Sequence, residues 1–385
     1  MEHLRIFETE TEYNENLMSL DYPTVSYIEE LDKYVYFDES YYSQQYLTFV
    51  ALENGTFTLT IPENITPAYM ESVSYSTDNG ETWTTTNNTY SRITVTTPTI
   101  EAGNTVLWKG VGKQFTNSSN YSWFESTGNF NVCGNIMSLF YEDDFQNQTS
   151  FIDSSEYNFR YLFYNATKLI NTKNLILPAT TLKQYCYSQM FEGCTSLVTA
   201  PELPATILAD DCYSQMFREC ENLIIAPELP ATTLATNCYY QMFYNCLALT
   251  TAPNLPATTL AQFCYYQMFF QCVTMEYNIP TILPATTLVY ACYEEMFCAC
   301  RKMTTAPILP ALTLVDHCYS QMFTGCCELN YIKAMFTTTP SSAYCQNWVL
   351  SVSETGTFVK NSAASWDVTG DNGIPSGWTV KTADE

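Results

Sequence analysis

A nine-residue pattern, Cys-Tyr-x-x-Met-Phe-x-x-Cys, returns at a fixed interval through the second half of this chain: at 186–194, 212–220, 238–246, 264–272, 292–300 and 318–326. The interval is 26 residues, stretched once to 28 by extra residues around 276–282. A degenerate copy at 158–166 carries Asn158 and Ala166 in place of the two cysteines. Self-similarity at this period marks a repeat architecture. One unit offers about six large apolar side chains, such as Tyr187, Met190, Phe191 and Leu197, each contributing roughly 1.5–3 kcal/mol when buried. Ordering its backbone costs about 1–2 kcal/mol per residue. A lone unit therefore cannot fold, and units are expected to stack into a solenoid in which neighbours share faces.

Within a unit, the Leu-Val-Thr-Ala and Leu-Pro-Ala-Thr-Thr-Leu pieces read as short extended segments, with Pro204 and its equivalents turning the chain between them. The proline-free 186–194 piece, with its Met-Phe pair three to four residues after Cys and Tyr, suits one or two helical turns closing each coil.

Met190-Phe191-Glu192-Gly193-Cys194-Thr195-Ser196-Leu197 resembles the repeat frame of the BspA-like, or treponemal, leucine-rich-repeat family. The likeness is closer to arrays of this kind in phages of gut Bacteroidales, including crAss-like phages. Residues 72–89 (SVSYSTDNGETWTTTNNT) and the tail 355–380 share it. The resemblance implies a curved leucine-rich-repeat solenoid and a place on the exterior of a virion. It implies no reaction.

The rest of the chain divides around the array. Residues 1–46 are acidic and Tyr-rich, with a short helix expected over 8–20 and a strand near Lys33–Phe37; the segment is expected to attach the chain to another virion protein. Residues 47–130 hold six short alternating runs separated by turn signals, the pattern of a small Ig-like β-sandwich. Asn54-Gly55 and Asn79-Gly80 are its strongest hairpin signals. Ser76 to Trp83 matches the Asp-box turn of sialidases, which is remote from chemistry in those enzymes. Residues 131–345 are assigned to the solenoid, with 130–140 covering its N-terminal edge, and 346–385 to a C-terminal cap. The expected fold class is mainly β with short helical turns.

Net charge is −25, from 40 acidic against 15 basic residues. That argues against nucleic acid as a partner, which requires a basic footprint. No apolar run is long enough to insert into a membrane. The start of the sequence lacks the basic and apolar regions of a signal peptide; synthesis in a host cytoplasm without export fits a virion protein better than a cell-surface adhesin. Of 16 cysteines, twelve are the paired repeat cysteines eight apart. Two ladders of free thiols are the expectation, with a partial disulfide set or a metal site as alternatives. The pairs Cys298/Cys300 and Cys326/Cys327 lack zinc-ligand spacing, and Glu142-Asp143-Asp144 reads as a solvated turn rather than a calcium site. No cofactor is expected.

No nucleophile–base pair or carboxylate pair stands out, so a non-enzymatic role is expected. The first reading is a head- or tail-fibre-type protein binding a host surface glycan or protein. The alternatives are a purely structural virion protein whose solenoid contacts sister subunits, and a bacterial adhesin. A homo-oligomer is expected, and a trimer is the habit of fibres. The candidate contact site is aromatic: Tyr240 with Tyr244, and Tyr266 with Phe270, stand where the other coils carry mostly small or polar residues. Stacked coils would bring the two pairs side by side, either as an exposed contact patch or, in the plainer alternative, as rings that merely cover one another or pack on the 276–282 insertion.

Overall fold

The computed structural model describes residues 3–7, 24–28, 33–37, 44–152 and 155–383. The chain is mainly β with several sheets. Strands β1 (His3–Phe7), β2 (Thr24–Ile28) and β3 (Lys33–Phe37) form a three-stranded sheet. The expected strand at Lys33–Phe37 is present, whereas the expected helix over 8–20 lies outside the described residues.

All six alternating runs of the next segment are strands: β4 (Leu47–Ala51), β5 (Phe57–Ile61), β6 (Met70–Ser76), β7 (Thr84–Asn87), β8 (Ile93–Thr96) and β9 (Thr105–Gly112). With β10 (Trp123–Ser126) and β11 (Phe130–Asn135) they make two sheets, one containing β11-β4-β9-β6-β7 and the other β10-β5-β8. The sheets pack through aromatic side chains: the Phe49 ring lies 5.3 Å from Phe57 and 4.8 Å from Phe124, and Trp108 lies 5.0 Å from Phe124.

The two Asn-Gly signals diverge. Asn79-Gly80, both at positive φ, turns the β6–β7 hairpin. Asn54-Gly55 makes no hairpin, because β4 and β5 lie in different sheets. Gly55 instead bridges Ile100, and a Cβ there would collide with the Gly128 backbone. The glycine permits a close chain crossing at a corner.

β11 joins the two halves. It pairs antiparallel with β4 and parallel with β12 (Leu169–Asn171) and β13 (Leu175–Ile176), short strands of the 158–166 copy's own coil. The expected boundary at 130/131 therefore falls within a shared strand. The Phe115 and Phe124 amides donate to the Asn158 and Leu162 carbonyls, both at 2.8 Å. These bonds cover the first coil's leading edge, as the 130–140 segment was expected to do.

From there the coils stack at the repeat interval. The Tyr187-213-239-265-293-319 rings are near-parallel with centroids 5.6–6.1 Å apart. The Phe191-217-243-269-297-323 rings are spaced 5.5–5.9 Å. Phe159 and Phe163 extend the two columns into the degenerate copy. One hydrophobic core runs from Leu47 to Trp378.

The 186–194 piece is not helical, contrary to expectation. Its even-numbered amides close tight turns within the coil: Ser188 to Tyr185, Met190 to Tyr187, Glu192 to Gln189 and Cys194 to Phe191. Its odd-numbered amides donate to the next coil: Tyr187 to Cys212, Gln189 to Ser214, Phe191 to Met216 and Gly193 to Arg218, at 2.9–3.0 Å. An α-helix would keep all these amides within the coil. Tyr185, Gln189 and Gly193 take φ of 57°, 58° and 73°, and the same fourfold spacing recurs in later coils. A left-handed residue every fourth position breaks the helix and frees alternate amides for stacking.

The array continues past residue 345. His317, Tyr319, Gln321, Phe323 and Gly325 donate to Ala343, Tyr344, Gln346, Trp348 and Leu350. Strands β14 (Tyr331–Ala334), β15 (Thr357–Lys360) and β16 (Thr379–Thr382) form a parallel sheet over the final turns. Among the described residues the α-helices are single turns, α1 (Ser138–Tyr141) after β11 and α2 (Ser342–Cys345) in the final turns. No helix among the described residues is long and apolar enough to cross a membrane.

Candidate functional site

The four expected contact residues are brought together as expected. Tyr240 stacks on Tyr266 with centroids 5.0 Å apart and planes 7° apart, and Tyr244 stacks on Phe270 at 4.7 Å and 1°. The cause is the backbone register: the Gln215 and Glu219 amides bond the Tyr240 and Tyr244 carbonyls, and Gln241 and Asn245 bond those of Tyr266 and Phe270. Each ring is thereby seated directly over its equivalent.

This arrangement restricts what the rings can offer. Stacked faces cover one another, and all four residues are half-buried. The outer face of Tyr244 is covered by the Arg218 guanidinium, 5.1 Å from its centroid. Burial pushes the Tyr240 and Tyr266 phenols above their ordinary value. The stacked inner faces and the Arg218-covered face of Tyr244 are therefore closed to a flat-lying sugar.

Several of the polar groups beside the rings are engaged with one another, although Arg218 Nε and Asn245 Oδ1 are buried without a hydrogen-bond partner among the described residues. Gln215 donates to Gln241, Gln241 to Gln267, and Gln267 to Glu295, an amide ladder running along the stack. Arg218 pairs with Glu192 at 3.0 Å and Glu219 at 3.1 Å. Glu192 also accepts from Gln189, and burial raises its pKa despite these partners. Such ladders tie coil to coil.

The cysteines form two chemically different columns of free thiols. In the second, Cys194, Cys220, Cys246, Cys272, Cys300 and Cys326 each donate to a Phe carbonyl of the preceding coil at 3.0–3.1 Å. Ala166 stands at this position in the first coil, which has no preceding coil to supply an acceptor. In the first column the thiols make only long contacts, such as Cys186 to the Cys212 carbonyl at 3.9 Å. Asn158 occupies that position in the first coil and donates to the Lys113 carbonyl and Ser155, fastening the stack to the sheets before it. Burial raises the thiol pKa values, Cys212 and Cys264 to about 12. Protonated and enclosed, these thiols are poor nucleophiles and metal ligands.

The two other acidic motifs are locally engaged. Asp143 pairs with the buried Lys109 at 2.8 Å and accepts from Tyr46, while Lys109 lies 4.4 Å from the Trp83 ring centroid. Asp78 of the Asp-box accepts from Ser76 and from the Thr82 hydroxyl and amide, which lower its pKa to about 2. Both are devices that hold turns. Among the described residues no group of three His, Cys, Asp or Glu side chains is arranged to hold a metal.

A surface feature outside the expected site is a groove of about 600 Å³ along the proline-bearing side of the Cys186 and Cys212 coils. Leu203, Ile225 and four prolines (Pro201, Pro204, Pro227, Pro230) line it, with Lys173, Glu202 and Glu228 as its charged members. Ile225 is 59% exposed and Ile224 43%. The sequence carried this signal, because the corresponding pairs in two other coils are Thr250-Thr251 and Thr304-Thr305. Compared with known protein families, with curated proteins and with solved structures, the chain finds no match.

Proposed function

We propose that this chain is a non-enzymatic phage virion surface protein of head- or tail-fibre type, whose stack of coils is a leucine-rich-repeat solenoid that binds a host surface glycan or protein. The virion assignment rests on the repeat resemblance. The binding role rests on one structural observation: the open, largely apolar groove along the proline-bearing side of the Cys186 and Cys212 coils. Grooves of this volume with apolar walls and a few charges are the usual form of a recognition site. In this reading the Ig-like sandwich anchors the first coil, the N-terminal segment docks on another virion protein, and the oligomer is a fibre-type homo-oligomer. The experiment is mass spectrometry of purified particles of the encoding phage. Stoichiometric presence supports the reading, and absence from particles removes it.

The second reading, a structural virion protein whose solenoid contacts sister subunits, is favoured by a different observation. Tyr277 and Ile282, in and beside the two-residue insertion, are 59% and 41% exposed. Apolar side chains on an irregular coil suit a subunit contact that a regular repeat would not provide.

A further inference from the structure

We infer that the groove over the Cys186 and Cys212 coils binds an extended, basic protein segment bearing alternate apolar side chains. This deepens the proposed binding function and rests on that reading of the solenoid. The groove's walls select the chemistry. Prolines have no amide hydrogen, so a wall built from Pro201, Pro227 and Pro230 presents few donors for sugar hydroxyls. Ile225, 59% exposed, supplies apolar surface while Leu203 is buried at the groove's base, and no aromatic ring lines the groove to stack on a pyranose. An apolar side chain is the group such a floor accepts.

Charge selects the rest. Glu202 and Glu228 occupy equivalent positions in adjacent coils, and they outnumber the single Lys173 in the lining. The whole chain carries −25. A second copy of this chain, or an acidic polymer, approaches against that field, whereas a cationic segment is drawn in. In an extended segment successive side chains point to opposite faces. Leucines at alternate positions can then enter the groove while the long stems of intervening lysines reach back towards the carboxylates.

The test uses the full chain and three fluorescein-labelled heptapeptides: Lys-Leu-Lys-Leu-Lys-Leu-Lys, the same peptide with serine for leucine, and the same with glutamate for lysine. Binding is read by fluorescence anisotropy at about 0.15 M salt. The expected result is saturable binding of the Leu/Lys peptide, at least about tenfold tighter than either control. The variant Ile224→Thr, Ile225→Thr, Glu228→Asn gives the Cys212 coil the residues of the Cys238 coil (Thr250, Thr251, Asn254). It is therefore expected to fold, and to bind the Leu/Lys peptide at least about tenfold more weakly. No binding of that peptide, equal binding of the Ser/Lys or Leu/Glu peptide, or full binding by the variant each overturns the inference. None of these results bears on whether the chain is present in virions or meets a host through another face, so the two readings fail separately.

Discussion

The Cys220 thiol donates to the Phe191 carbonyl of the preceding coil, 3.1 Å away. The same carbonyl accepts the Cys194 amide of its own coil. One oxygen thus closes a turn and receives the next coil, and the relationship recurs down the stack. It explains why a pattern of two cysteines eight apart persists without disulfides. The second cysteine is a buried donor with a fixed acceptor, while the first fills space.

This difference predicts unequal responses to serine. Cys220→Ser keeps a donor beside an available carbonyl, so it is expected to cost less than Cys212→Ser. The latter buries a hydroxyl at a position with only long contacts, a penalty of about 1–3 kcal/mol. Urea unfolding of the two variants measures it, and equal losses would remove the distinction between the columns.

The tyrosine column carries a second prediction. The hydroxyls of Tyr187, Tyr213, Tyr239 and Tyr293 are buried without a partner in the protein. A buried hydroxyl left unpaired is unfavourable, and the first coil already has Phe159 at this position. Tyr213→Phe is expected to be neutral or to stabilise by up to about 1 kcal/mol. A loss of stability in thermal unfolding would show that the hydroxyl has a stabilising role.

Much of this architecture was legible in the sequence. The repeat period, the Tyr and Phe columns, the six strands at 47–112 and the side-by-side seating of Tyr240 on Tyr266 all followed from spacing and alternation. The succession of tight turns over 186–194 was not legible, because three-to-four-residue spacing of Met190 and Phe191 serves it as well as a helix. Residues such as Gln189 give no warning that they adopt positive φ. The Asn54-Gly55 corner imitates a hairpin because the same dipeptide serves both. Mutual covering of the four rings was one of the two outcomes that their spacing allowed, and coil spacing decides between them. The exposed Ile224-Ile225 pair is marked only by departing from its equivalents, without any motif of its own.

Alkaline pH should destabilise the fold. Burial lifts the Cys212 and Cys264 thiols from an ordinary 9.0 to about 12. Above pH 9 the unfolded chain releases these protons while the folded chain retains them, so the unfolded state binds fewer protons and stability falls. The contribution is intact below 9 and is lost as pH rises towards 12, at about 1.4 kcal/mol per pH unit for each thiol. Urea unfolding under reducing conditions between about pH 8 and pH 11 tests the window. Cys212→Ala with Cys264→Ala should flatten the slope by about two protons, and an unchanged slope would contradict the assignment.

The ring stack should hold the Cys238 and Cys264 coils together. A double-mutant cycle of Tyr240→Ser and Tyr266→Ser is expected to give a coupling of about 0.5–1.5 kcal/mol, as stacked aromatic pairs do. Zero coupling in chemical unfolding would mean that the rings contribute only separately.

The stack of coils is proposed to be the recognition surface of a virion protein. The most direct measurement is adsorption of the encoding phage to its host in the presence of monovalent antibody fragments raised against residues 158–345, beside fragments raised against the β-sheet segment 47–130. The first set is expected to block adsorption and the second to leave it largely intact. Particles that bind the first set of fragments at full occupancy and still adsorb at the untreated rate would contradict it.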